Sequence, residues 1–212
     1  MKSGCKGLSS PKALVMKSLF IFSFFVMLSP VAFCESKIDS VLLKKIIIMF
    51  KEDQKWRRES LDLENGKKTS FDELTINKNI GITDSLNMAE AKIIIKKYGF
   101  PGYSLVGTDG SNGFWAIIQH CDNDVIFQQQ VLSLMAKEVK RHNASGENFA
   151  LLQDRVLISQ GHKQLYGSQV RLDLKTHHAK PLPIQDSLNV DLRRKAVGLS
   201  PLQDYLKLFD RR

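Results

Sequence analysis

The residues of this chain that could do chemistry are polar groups set inside apolar runs. The sharpest case is Asp154-Arg155 in NFALLQDRVLIS, where Ala150, Leu157 and Ile158 flank the acid at helical offsets. An uncompensated buried charge is expensive, so each member must find a partner or line a wet cavity. One reading is a structural ion pair that fixes helix packing. The other gives Arg155 an anionic ligand group to bind and Asp154 a histidine to orient.

That histidine is predicted to be His120, which with Gln119 ends the apolar run FWAIIQH. An imidazole gives and takes protons near neutral pH, and a neighbouring carboxylate would fix its tautomer. A histidine at a helix C-terminus is also favoured by local electrostatics alone. Adjacent Cys121 is read as a buried, inert thiol, because neighbours on a helix point about 100° apart and rarely form a nucleophile pair. Asp53 and Arg57, four apart, can pair within one helix. They lie on the stripe of Met49 and Trp56, which turns Asp53 inward and within reach of Arg155.

A third group is the stretch GHKQLYGSQ, residues 161–169, followed by the alternation Val170, Leu172, Leu174. Read as a β-hairpin turning at Tyr166-Gly167, it sets Gln164 opposite Gln169 on one polar face, with a three-residue loop as the alternative register. Paired carboxamides donate and accept together, which suits peptide-like or sugar groups. Metal and cofactor chemistry have little support: His177-His178 lack the spaced ligands of a zinc site, and no glycine-rich phosphate loop follows a strand. The expectation is therefore no metal and no cofactor.

The elements needed to position these groups are mostly helices. Apolar residues at three- and four-residue spacing from Ile38 through Trp56 predict a helix ending near Arg58. Residues 59–82 lose the period and read as a surface segment. Asp84 reads as the cap of a second helix that stops at Tyr98-Gly99, with Gly99 in the left-handed position. Gly107-Thr-Asp-Gly110 reads as a turn, and Ser111 or Asn112 as the start of a third helix. Asp122 or Asp124 caps a fourth, and Ser145 a fifth that runs from Glu147 to about Ser159. A short helix over Asp191–Ala196 and a last one starting at a Ser200-Pro201-Leu202-Gln203 capping box complete the chain. The predicted fold is a single mainly α domain over residues 35–212, with one small β-hairpin near its C-terminal third.

The first 34 residues differ in kind. They hold four lysines and no acid, and Leu19 to Cys34 reads LFIFSFFVMLSPVAFC. This is a signal-peptide pattern, with Met16 as an alternative translation start and cleavage predicted after Cys34. An uncleaved anchor is the alternative; a lipidated Cys34 is disfavoured by bulky Phe33. Export to a periplasm or the medium follows, with membrane contact only through that segment. Removing it lowers the net charge from +9 to +5. The basic residues are scattered among acids and not interleaved with stacking aromatics, which argues against nucleic acid as a partner. The expected partner is a small polar ligand or an envelope component. One cysteine would remain, so the core must hold the domain without a disulfide.

Asp53-Gln54-x-x-Arg57, Asp84-x-x-Asn87, Tyr98-Gly-Phe-Pro-Gly102, Gln119-His120, Ala150-Leu-Leu-Gln-Asp-Arg155, Gln164-x-Tyr-Gly-x-Gln169 and Val197-Gly-Leu-x-Pro-Leu-x-x-Tyr205 form an ordered series. It resembles a family of bacterial, often exported, single domains of unknown function. The resemblance implies that Asp53, Arg57, Gln119, His120, Asp154, Arg155, Gln164, Tyr166 and Gln169 belong to one pattern, and it implies no mechanism. The leading expectation is a polar cavity with hydrolase chemistry: His120 as general acid/base, Asp154 as its orienter, Arg155 on an anionic group, and Gln164, Tyr166 and Gln169 positioning substrate. The competing expectation is a non-catalytic binding or interaction domain, in which the same residues form a structural network.

Overall fold

The apolar stripe that begins at Ile38 does not stop at Arg58. In the computed structural model, which describes residues 38–173, 176 and 178–209, helix α1 spans Ser40–Glu64. Its N-cap is Asp39, whose carboxylate accepts from Leu42 N. Helix α2 spans Glu73–Tyr98 and is capped by Asp72. The segment predicted as surface, residues 59–82, is therefore mostly helix, and Asp84 lies inside α2 and caps nothing. Tertiary packing overrides the poor local propensity of its Gly, Asn and Thr residues: Ile76 is buried, and Trp56 packs on Phe71 with ring centroids 5.0 Å apart. The predicted signal segment, Leu174 and His177 lie outside the described residues. Among the described residues no helix is long and apolar enough to cross a membrane.

Helix α3, Tyr103–Gln119, begins eight residues before the predicted cap and contains the predicted turn as a break at Gly107. There the backbone adopts φ +70°, a conformation open to glycine and costly for residues with a Cβ. Helix α4, Val125–Lys140, is capped by Asp124, and α5, Gly146–Ser159, by Ser145. Strands β1, Val170–Leu172, and β2, Ala179–Pro181, pair antiparallel with Arg171 opposite Lys180. Helices α6, Val190–Ala196, and α7, Leu202–Lys207, end the chain. The predicted capping box at Ser200 does not form; Leu202 N is taken by the Asp191 carboxylate at 2.7 Å.

The mainly helical class with one small hairpin is thus what the chain adopts, but the hairpin is not where the alternation placed it. Its turn lies between Leu172 and Ala179, not at Tyr166-Gly167. A two-residue type I′ turn needs positive φ at both positions. Only Gly167 has it, at +73°, and a Cβ there would lie 2.8 Å from Leu202 Cδ1.

The main core joins α1 to α5 through residues such as Ile46, Ile94, Phe114, Ile118, Val131 and Leu152. A smaller cluster, Ala179, Val190, Leu202 and Leu206, lies under the hairpin and the two last helices. The loop over residues 161–169 runs between α5 and this C-terminal part.

Candidate functional site

Asp53 sits on the inner stripe of α1 and is 2 % exposed. Its carboxylate receives three groups through four contacts. His120 Nδ1 lies 2.9 Å from Oδ1, Gln54 Nε2 donates to Oδ2 at 2.8 Å, and Arg57 Nε donates to both oxygens at 3.3 Å. Arg57 then reaches across to α2, where its Nη2 donates to Asp84 Oδ1 at 2.6 Å. One line of groups, Asp84, Arg57, Asp53 and His120, so ties together α2, α1 and the end of α3. The predicted Asp53–Arg57 pair forms, and Asp53 turns inward as its stripe requires. Its partner across the fold is His120, not Arg155.

The two carboxylates are pushed apart in acidity. Burial raises Asp53, but the His120 hydrogen bond and charge, with Arg57 and Gln54, outweigh it and hold the group below the ordinary carboxylate range. At Asp84 burial wins over Arg57, and the group is raised. Environments that separate two neighbouring carboxyls in this way are what acid–base sites use.

His120 is held from behind. It is the C-cap residue of α3, and the buried Gln128 of α4 donates Nε2 to Ile118 O and Gln119 O at 3.1 and 3.3 Å, clamping the last turn of the helix. The predicted site residue Gln119 thus contributes its carbonyl to this clamp. His120 Nδ1 faces a carboxylate and so is a nitrogen that carries a proton; in the neutral ring Nε2 is then the acceptor. The side chain is 21 % exposed, and Nε2 has no partner among the described residues. Gln54, Asp84 and Gln128 were not legible as site residues, although Asp84 extends the inward row of Asn87, Ala91 and Ile94 by one turn.

Asp154 performs a different task from the predicted one. It is fully buried and accepts from Leu165 N at 2.7 Å, Tyr166 N at 3.0 Å and Ser168 N at 2.9 Å. The loop folds around this carboxylate, whose oxygens are committed to backbone amides and do not orient His120. Gln164 is also fully buried: its amide donates to Gln169 O and Leu182 O, and its Oε1 accepts from Gln169 N. The two carboxamides do not pair with each other; Gln164 closes on the backbone of Gln169, whose own side chain reaches Ser168 Oγ. Tyr166 is buried, with its carbonyl held by Arg194 Nη1 at 2.6 Å. Arg155, one residue and about 100° round the helix from Asp154, points outward and grips Asp122 through two bonds of 2.8 and 2.6 Å. Asp122 is within electrostatic reach of His120, so Arg155 borders the site through Asp122.

A family model matches residues 40–212. The chain belongs to the family of unknown function DUF6624. No curated protein and no solved structure matches it. Most polar members of the motif series read from the sequence map onto two places in this DUF6624 chain: the Asp53–His120 cluster, and the Asp154 loop network.

The cluster also has ligand chemistry. Asp53, Asp84 and His120 each offer an atom within 4.8 Å of the others, a spacing compatible with one divalent cation. Against a cation, the Arg57 guanidinium already bridges both carboxylates.

Cys121, directly after His120, is 2 % exposed and burial pushes its thiol up to about 12 from 9.0. The folded protein keeps the thiol neutral where the unfolded chain ionises it. The resulting stability loss begins as pH rises above about 9 and grows toward 12. Cys121→Ala should flatten this alkaline limb: unfolding free energy measured by urea titration at pH 8 and 10.5 should fall less in the variant than in the wild type. Equal slopes would show that the thiol is accessible to solvent base.

Proposed function

We propose that this domain is a hydrolase in which Asp53 and His120 form an acid–base dyad. The supporting observation is the 2.9 Å contact between His120 Nδ1 and a buried carboxylate, with Nε2 left partnerless at a partly exposed edge. In this reading Nε2 takes a proton from an attacking water. Asp53 stabilises the imidazolium that forms, and the proton passes on to the leaving group. Arg57 Nη1 has no partner among the described residues and offers a donor to the oxygen on which charge develops. Asp53 and Arg57 take the roles the sequence assigned to Asp154 and Arg155. The apolar segment Leu19–Cys34 supports export as the setting of this activity.

The test is a panel of chromogenic carboxylic and phosphoric esters with the wild type and His120→Ala. Turnover should fall about 10²–10⁴-fold, while the melting temperature drops by no more than about 2–4 °C, as befits one lost hydrogen bond. The spacing of Asp53, Asp84 and His120 favours a second reading, a divalent-cation site. It would be recognised by loss of turnover on chelation and recovery with zinc or manganese. Chelator-insensitive turnover lost in His120→Ala supports the dyad; no turnover on any ester defeats it.

A further inference from the structure

Helices α1 and α2 run antiparallel, as three contacts at steadily changing positions show: Lys45 with Glu90, Asn87 with Met49 O, and Arg57 with Asp84. The Lys45–Glu90 ion pair marks their outer seam. On α1 the same stripe carries Val41 and Ile48, 77 % and 53 % exposed; on α2 it carries Leu86 and Ile93, 66 % and 59 % exposed. The spacing is four then three on α1 and four then three on α2, the pattern of a helix seam that expects a facing helix. Four large aliphatics surrounding one ion pair are not an ordinary scatter of surface apolar residues. Val41 lies level with Ile93, and Ile48 with Leu86, because the helices are antiparallel about the Lys45–Glu90 pair.

We propose that this face is the interface of a homodimer. The occupant is chosen by self-complementarity. A two-fold axis parallel to the helices, running between α1 and α2, lays each α1 over the partner copy's α2. Every residue then meets its own level: the Val41 position meets Ile93, Ile48 meets Leu86, and the cation of Lys45 meets the anion of Glu90. The result is an up-down-up-down four-helix arrangement with an apolar seam and a crossed pair of ion pairs at its centre. A lipid surface would accept the aliphatics but gains nothing from the embedded glutamate.

Sedimentation of the full-length chain tests the proposal. The wild type should sediment as a dimer, and Leu86→Glu/Ile93→Glu as a monomer with an unchanged circular dichroism spectrum, since both positions are exposed. Charge exchange supplies the sharper arm. Lys45→Glu alone places acid against acid across the axis, and Glu90→Lys alone places base against base, so each should self-associate at least about tenfold more weakly. Mixed together they should restore the wild-type affinity, because each supplies the charge the other lacks. Association through any other segment would ignore the exchange. A wild type that stays monomeric, single variants that dimerise as tightly as the wild type, or a mixture that does not recover each overturn the proposal. So does binding to anionic vesicles that is lost in Leu86→Glu/Ile93→Glu while the mass stays that of a monomer.

Discussion

Asp154→Ala should lower the unfolding free energy by about 3–5 kcal/mol, the loss expected when one partner of a buried charged network is removed. The carboxylate is fully buried and is the acceptor for the amides of Leu165, Tyr166 and Ser168. Alanine leaves all three donors without their acceptor, and each orphaned group carries its own desolvation cost. The damage should spread toward the C-terminus. The carbonyls of the same loop are held by Arg193, Arg194 and Tyr205, at Leu165, Tyr166 and Ser168 respectively. Those side chains belong to or flank α6 and α7, whose own cluster is small. Hydrogen exchange should therefore show lost protection at residues 164–172 and 190–206 before α1 to α4 are affected. Asp154→Asn retains one acceptor oxygen and should lose less, about 1–3 kcal/mol. An alanine variant within about 1 kcal/mol of the wild type, with the three amides still protected, would mean that the loop is held by something other than this carboxylate.

The two halves of the motif series differ in how far the sequence discloses them. Caps written in adjacent residues were readable: Asp124 and Ser145 start their helices and Gly99 follows the end of α2, because each acts within one turn. Burial of Asp53 and Asp154 was readable from their apolar neighbours. What those buried acids touch was not. Asp154 holds loop amides of which the first lies eleven residues downstream, and Asp53 meets a histidine 67 residues away. Period and propensity describe one segment at a time, so they offer Asp154 as the partner of His120, whereas the acid His120 contacts in the structure is Asp53. The polar run of residues 59–82 hid the continuity of α1 and α2, and with it Asp84, because helix there depends on packing between the two helices rather than on local preference.

Asp53→Asn should separate the catalytic from the structural meaning of the Asp53–His120 contact. Asparagine keeps the shape and can still accept from His120 Nδ1, so the fold survives; it cannot stabilise an imidazolium as an anion does. Ester turnover should fall about 10²–10⁴-fold, with a stability loss at neutral pH of about 1–3 kcal/mol for the weakened bonds to His120 and Arg57. The pH dependence of that loss checks the charge directly. The folded-state acidity of Asp53 lies below the ordinary 3.8. Its stabilising share is therefore complete above that value and disappears as pH falls through the depressed folded value. Asp84, raised by burial, behaves oppositely: its share is present below 3.8 and is lost as pH rises through its raised value. Because Asp84 titrates in both proteins, the gap between wild type and variant reports mainly on Asp53. Urea unfolding at several pH values between about 2 and 6 should show this gap closing toward the acid end. A gap that stays constant would mean that Asp53 binds its proton equally well in the folded and unfolded chains, and one that shrinks as pH rises would mean that Asp53 is protonated in the native protein. A protonated Asp53 could still hold the ring in place, but it could not stabilise the charge His120 must carry if it is the base.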